Sequence, residues 1–455
     1  MDMKIKMPPG AAFIIDELNN HGFEAYIVGG CVRDSLLGKN PNDWDITTSA
    51  TPYQVKDIFK KTVDTGLQHG TVTVLVDRQH SCGGEYAYEV TTYRVDGIYE
   101  DHRRPKEVTF SNSIEEDLKR RDFTINAMAY NDDEGVVDIF GGATDLKNGV
   151  IRCVGVPQDR FDEDALRILR AVRFAAQLGF NIDEPTKESM KNQARFLKDI
   201  SAERIREEFT KLIISDNPGM LVMAYELGLT KVFFPEFDAM IKTDQNNPNH
   251  SYNVGIHTIK VMENVPKDIT LRYAALLHDV AKPVCKTTDE KGVDHFYDHP
   301  VVGSDLARIV LRRLKFDNET VDKVVRLVLY HDYGIGGQIG EKSIRRFLAK
   351  LGIENFNDFI TIREADRLAQ SDYNQNIKAE NVKKLKGICE KVINEKQCLK
   401  ISDLAIGGKD LIDLGMKPGK DMGDMLKYLL DEVLDEPKLN KKEKLTELVK
   451  KKING

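Results

Sequence analysis

Two aspartates, Asp43 and Asp45, stand two residues apart in the segment VGGCVRDSLLGKNPNDWDITTSATP. In an extended chain successive side chains alternate, so this spacing sets both carboxylates on one face. Like charges side by side repel unless something compensates them. A divalent ion is the economical compensation, and magnesium takes hard oxygen ligands together with substrate phosphates. Upstream, Gly29 and Gly30 end an apolar run, and their bare backbone can approach a phosphate closely. Arg33 follows with a planar fork of donors for phosphate oxygens. Glycines, arginine and paired aspartates together describe a nucleoside triphosphate with its metal. In a two-metal arrangement one ion activates a hydroxyl and the other holds the leaving group. A lone GG is usually a turn and a lone DxD a surface loop. Their combination, with Asp34 and Gly38 at these offsets, is the specific signal.

A third carboxylate is offered by Glu89 in YEVTTYR, with Asp96 just after as the competing choice. Glu89 is preferred because its run has the clearer period-two pattern. In DLKRRDFTINAMA, Arg120 and Arg121 suit phosphate neutralisation and Asp122 suits a ribose hydroxyl. Asn126 joins the nucleotide-binding set. A structural salt-bridge cluster would use the same residues.

Glu163, Asp164 and Arg167 form an EDxxR unit. On one helix Asp164 and Arg167 share a face, where the simpler reading is an i,i+3 ion pair. The functional reading uses their chemistry. Aspartate accepts from an amino group and arginine donates in a fixed fork, so the pair can read the Watson–Crick edge of an incoming base. Arg170 and Arg173 continue the basic stripe, toward triphosphate or primer RNA. Ser201 reads as the N-cap of a helix over 203–212 that buttresses the site.

Farther on, His257, His278, Asp279, His299, His331 and Asp366 fall within residues 250–370. An adjacent His and Asp supply mixed nitrogen and oxygen ligands to a divalent transition metal. His299 and His331 add ligands or hold substrate phosphates. A packed core position is the simpler reading for any one histidine.

These residues need elements to hold them. The patterning predicts a short helix over 11–21, strands over 23–28, 43–48, 72–76, 86–93 and 136–140, and a helix opened by Pro52. That is an α/β head. From Asp162 onward the spacing of Leu166, Leu169, Val172 and Phe174 is helical, and nearly everything beyond is too. The fold class is α+β, multidomain.

Composition narrows the classes. Lys and Arg number 66 against 73 Asp and Glu in 455 residues, a net charge of −7. That excludes a uniformly basic nucleic-acid coat but allows a local basic face. Six cysteines without a CxxC pair fit a reducing compartment and give no zinc-finger signal. No apolar run is long enough to span a membrane and MDMKIKMPPG lacks an apolar signal core, so a cytoplasmic enzyme is expected. Residues 438–452 carry seven lysines and two glutamates, read first as a solvated face and second as an RNA-facing one.

Across about residues 21 to 215 the motifs GGCVRDSLLG, DWD, EVTTYR, RRDFTINAMA and RFDEDALRILRAVRF occur in one order. In this the chain resembles the bacterial tRNA nucleotidyltransferase and poly(A) polymerase family, the class II branch of the polymerase-beta-like nucleotidyltransferases. The resemblance implies a polymerase-beta-like head with a mixed sheet, then helical neck, body and tail. It makes Asp43 and Asp45 the Mg2+ ligands, Gly29, Gly30 and Arg33 the triphosphate turn, and Asp122 the ribose sensor. It makes Asp164 and Arg167 the protein template for CTP or ATP. The implied partner is the tRNA 3' acceptor end, to which C, C and A are added. The His…His-Asp…Asp set resembles the HD phosphohydrolase superfamily, which implies a phosphatase or 2',3'-cyclic phosphodiesterase. The segment GGKDLIDLGMKPGKDMGDML resembles the family's C-terminal helical part.

The expected organisation is a nucleotidyltransferase head over 1–150 and a base-recognising, RNA-binding neck over 151–235. An HD-type domain over 236–375 and a helical tail for tRNA contact over 376–455 follow. Alternatives are a poly(A) polymerase or A-only enzyme, an HD phosphohydrolase with a nucleotide-binding head, and a non-catalytic RNA-binding protein. The last is disfavoured by Asp43, Asp45 and the RRD and EDxxR segments. Monomer and dimer are both open.

Overall fold

β-Branched and aromatic runs assemble one mixed sheet in the first part of the chain. Its strand order is Gly135–Val137, Ala129–Asn131, Ala25–Val28, Ile46–Thr48, Tyr86–Thr92, Thr71–Val76, Thr62–Gly66. Every neighbouring pair is antiparallel except Ile46–Thr48 with Tyr86–Thr92, which run parallel. The computed structural model describes residues 4–77, 86–97, 99–100, 104–105, 108–334 and 339–454. The chain divides into two compact units, Met1–Pro235 and Glu236–Gly455.

In the first unit, strand Ala25–Val28 is buried along its whole length and so is Ile46–Thr48. Continuous burial explains why both read as unbroken apolar or β-branched runs. The strand expected from residue 43 begins only at Ile46. Its antiparallel partner ends at Val28, where Gly29 turns the chain into a helix, so residues 43 and 44 lie beyond that ladder, although the Asp45 carbonyl still accepts from the Val28 amide at 2.9 Å. The strand expected over 136–140 is Gly135–Val137, followed by a helix over Gly142–Asn148. The first helix is Pro9–Asn20, with proline in its first turn.

After the sheet, helices Pro157–Glu163, Leu166–Leu178 and Ala202–Ile213 follow. Leu166–Leu178 packs against Ala202–Ile213, with Ile168, Leu169, Val172, Phe209 and Leu212 buried.

The second unit is almost wholly helical. Val254–Glu263, Ile269–Leu277, His299–Arg313, Asn318–Tyr330 and Phe356–Ala369 surround a buried group of histidines and aspartates. A small antiparallel pair, Thr287–Thr288 with Asp294–His295, interrupts them. The last helices have their own core of Leu411, Leu429, Val433, Leu445 and Val449. The lysine-rich end is the amphipathic helix Lys442–Asn454: Leu445 and Val449 are buried while Lys442, Lys444 and Lys450 are exposed. Cys31, Cys153, Cys285, Cys389 and Cys398 are all free. Among the described residues no helix is long and apolar enough to cross a membrane.

Candidate active site

The parallel pairing of Ile46 with Val90 puts the residues just before them, Asp45 and Glu89, side by side. Asp43, Asp45 and Glu89 line one cavity of about 720 Å³, walled by Pro9, Trp44 and Tyr88. Asp45 reaches solvent, yet crowding around its carboxyl raises its pKa; Glu89 and Asp43 push the same way and Arg121 opposes them. Three carboxylates around one space is the donor chemistry of a hard divalent cation. The alternative Asp96 ends the short strand Arg94–Asp96, and its side chain lies outside the described residues.

Behind this cavity Gly29 takes a left-handed conformation, φ 79°, between strand Ala25–Val28 and helix Gly30–Leu36. A Cβ there would meet Arg121 Nη1 at 3.0 Å, so glycine serves both the turn and the close approach of the arginine. Arg121 donates to Asp117 Oδ2 at 3.1 Å, and Arg120 donates to the other oxygen. Arg33 is buried. It donates to Asn126 Oδ1 at 2.6 Å and to both oxygens of Asp34, and lies 5.0 Å over the Phe174 ring.

Asp122 gathers the next set. Its Oδ1 accepts from the Phe123 amide at 2.8 Å and from Asn126 at 3.1 Å, while Oδ2 accepts from Arg170 at 2.8 Å. Burial opposes its ionisation, but Arg170, Asn126 and Arg167 outweigh burial and hold the carboxyl down to about 2. Arg173 is buried beside Glu208, at 2.7 Å, and stacks 3.7 Å from the Phe174 ring. Burial lowers its pKa to about 10.

The expectation that Asp164 and Arg167 share one helical face is corrected. The helix ends at Glu163, Asp164 is extended at φ −142°, and a new helix starts at Leu166. The reason is local: Asp164 Oδ1 accepts from the Leu166 amide at 3.1 Å, the capping bond by which aspartate competes with continued helix. Arg204 grips both Asp164 oxygens, at 2.7 and 3.3 Å. Arg167 instead donates to Glu163 and to the carbonyls of Arg160 and Arg120. Ser201 holds the expected position before Ala202–Ile213 but makes no side-chain capping bond. Arg204 was read only as part of a helix start that buttresses the site, and Glu208 on the same helix was not singled out, since neither spacing nor sequence proximity links them to their partners Asp164 and Arg173. Asp117 was readable, standing four residues before Arg121 on a helical turn.

In the second unit all six expected residues come together. His257, His278 and Asp366 form one buried trio and Asp279, His299 and His331 another, each with ligand atoms within 4.8 Å of one another. Asp279 touches both: Oδ2 lies 3.1 Å from His278 Nε2, and Oδ1 lies 3.3 Å from His299 Nε2. In every histidine Nδ1 faces a backbone carbonyl, of Ala369, Ala275, Phe296 and Val328 respectively. Nδ1 therefore carries the proton and Nε2 turns a lone pair inward. The Nε2 atoms of His257 and His278 stand 3.3 Å apart, and those of His299 and His331 3.2 Å apart. Lone pairs facing lone pairs repel unless a cation lies among them, so the donor set fits a metal. Asp332, beside His299 at 3.2 Å, is a further oxygen that the sequence reading passed over.

Carboxylates gathered at the end of a parallel strand pair, with arginines and a tight glycine turn behind them, are the equipment of a nucleotidyltransferase. Three family models match the chain: Poly A polymerase head domain over residues 25–152, the RNA and SrmB-binding site of polymerase A over 179–241, and tRNA nucleotidyltransferase domain 2 over 301–449. A CCA-adding enzyme of Ligilactobacillus salivarius is 36% identical over 449 residues, covering 96% of this chain and 95% of that one. The CCA-adding enzyme of Lactobacillus helveticus is 54% identical over 211 residues, and in that alignment the chain spans about half of the relative, 50%, with 46% of its own length. The crystal structure of Bacillus stearothermophilus CCA-adding enzyme in complex with CTP matches with TM-score 0.71 at 29% identity, over 99% of this chain and 98% of that one. The chain belongs to the CCA-adding enzyme family.

Proposed function

We propose that this chain adds C, C and A to the 3' end of tRNA from CTP and ATP, without a nucleic-acid template. The observation that carries the proposal is the gathering of Asp43, Asp45 and Glu89 on one cavity by the parallel strand pair. The CTP complex of the Bacillus stearothermophilus relative supports a nucleotide ligand. Asp43, Asp45 and Glu89 would hold Mg2+. When bound, it supplies Lewis-acid activation of the attacking hydroxyl and neutralises charge on the triphosphate. The 3'-hydroxyl attacks the α-phosphorus and pyrophosphate leaves.

The chain's own residues supply position and charge, the main terms in such a transfer. Gly29 and Gly30 leave room for phosphates beside Arg121, which Asp117 orients. Asp122, fixed by Arg170 and Asn126, keeps acceptor capacity for a ribose hydroxyl. Asp164, clamped by Arg204, accepts from the amino group that cytosine and adenine share. Arg167 offers the complementary donors once its contact with Glu163 is exchanged. Arg33, Arg170 and Arg173 set the charge behind the triphosphate and primer.

The test is incubation with Mg2+, a tRNA ending before CCA, and labelled CTP and ATP. Two C residues followed by one A support the proposal. A-only extension of tRNA ending in CC would move the chain to the A-only branch, and long A tracts to the poly(A) polymerases.

A second activity is proposed for the His and Asp cluster, carried by the inward-facing lone pairs of His257, His278, His299 and His331. With Asp279 and Asp366 they would hold divalent transition metal, which supplies an activated water for phosphoester hydrolysis. Metal analysis of the purified full chain tests this. Metal retained by the wild type and lost on His278→Ala supports it.

A further inference from the structure

The cavity over the His and Asp cluster has a volume of about 300 Å³ and is lined by more than metal donors. Four lysines and arginines of its wall have contrasting surroundings, and Arg363 among them faces Asp332 at 3.8 Å and Asp366 at 3.6 Å. Lys282 is satisfied, ion-paired with Asp279 Oδ2 and donating to Gln245 Oε1, both at 2.8 Å. Arg367 is satisfied by Glu364 at 2.8 Å and Gln375 at 2.9 Å. Lys378 is not: its ammonium nitrogen is shielded from solvent and has no hydrogen-bond partner among the described residues. A buried, unpaired ammonium is unfavourable. Its place makes it more so, because Lys378 lies in the first turn of helix Gln375–Asn394, the end that repels cations. Asp366, on the wall of the same cavity, attracts this ammonium but makes no hydrogen bond to it, and an anion entering the cavity would supply one.

The mouth of the cavity carries a second feature. His295 and Tyr297 stack, with ring centroids 5.4 Å apart and planes 9° apart. Tyr297 is 69% exposed. A flat aromatic pair open to solvent is a platform for a planar heterocycle.

We infer that Lys378 is the anion anchor of this cavity, and that its ligand is the phosphate of a nucleotide whose base rests on the His295–Tyr297 pair. The inference builds on the proposed metal-dependent hydrolysis and names its substrate class and two residues that bind it. Lys378 meets a non-bridging phosphate oxygen from the helix side, while the His and Asp cluster faces the phosphate from the other side.

The test uses the full chain loaded with Mn2+, with metal content measured on every variant and binding of inorganic phosphate and of AMP followed by calorimetry. Any AMP taken up by the head is common to all variants and cancels in the comparison. Lys378→Met is expected to keep its metal and to bind both phosphate and AMP at least about tenfold more weakly, with Lys378→Arg restoring most of the loss. Tyr297→Ala is expected to weaken AMP by about tenfold and leave phosphate unchanged. Lys378→Met that keeps its metal and binds phosphate like the wild type overturns the anchor. Unchanged AMP binding by Tyr297→Ala overturns the base platform. A wild type that retains no metal overturns instead the hydrolytic reading beneath, and the metal measurement tells the two failures apart.

Discussion

Asp45 and Glu89 are neighbours because one strand pair is parallel. They precede Ile46 and Val90, which pair directly, and Glu89 raises the pKa of Asp45. Parallel strands need a crossover of about a dozen residues or more, so only the sheet brings these two carboxylates together. Glu89→Gln keeps the shape and removes the charge. It is expected to slow nucleotide addition by about tenfold to a hundredfold and to raise the Mg2+ concentration needed for half-maximal rate. A Mg2+ titration of the single-turnover rate checks this, and an unchanged midpoint would remove Glu89 from the metal site.

Arg204 holds Asp164 through both carboxylate oxygens. Arg204→Ala frees the carboxylate to rotate, and discrimination against uracil should fall before overall binding does. A bidentate pair is worth about 1–3 kcal/mol of base discrimination. The ratio of kcat/KM for CTP over UTP is therefore expected to drop by about tenfold or more. An equal fall for both nucleotides would give Arg204 a purely structural role.

Asp122 is held down from an ordinary 3.8 to about 2, with burial opposing and Arg170 prevailing. A carboxyl that ionises more readily when folded adds stability above its unfolded pKa and loses it as pH falls toward the folded one. The contribution is about 2 kcal/mol and disappears between about pH 4 and pH 2. Urea midpoints of the wild type and Asp122→Asn should therefore converge as pH is lowered from about 5 to 3. A constant gap across that range would contradict the ion-pair account.

Asp279 faces both trios, with Oδ2 toward His278 and Oδ1 toward His299. Asp279→Asn is expected to lose more metal than His299→Ala, which leaves the His257, His278 and Asp366 trio complete. Elemental analysis of the purified variants checks the order. Both should add nucleotides to tRNA at the wild-type rate.

What could be read in advance follows from the range of the forces. Alternation along a strand is local and singled out Glu89, whereas Asp43 and Asp45 line the same cavity from the segment before the strand, not from the strand whose alternation suggested it. The six metal-type residues were readable because histidine beside aspartate is a chemical signal that survives without coordinates. The shared helical face of Asp164 and Arg167 was misread because one capping bond to Leu166 breaks the helix the apolar pattern seemed to continue. The contact of Arg204 with Asp164, and the roles of Glu208 and Lys378, were invisible for another reason. Their partners, or the cavity they face, lie tens of residues away and are set by packing, which no spacing records.

The most direct test of the carboxylate site compares the wild type with Asp45→Ala on a tRNA ending before CCA, with CTP, ATP and Mg2+. The wild type should add C, C and A and stop. Asp45→Ala should fall by about a thousandfold or more while retaining the transition metal of the His and Asp cluster. Addition by Asp45→Ala at a rate near that of the wild type would contradict the assignment of the reaction to this cavity.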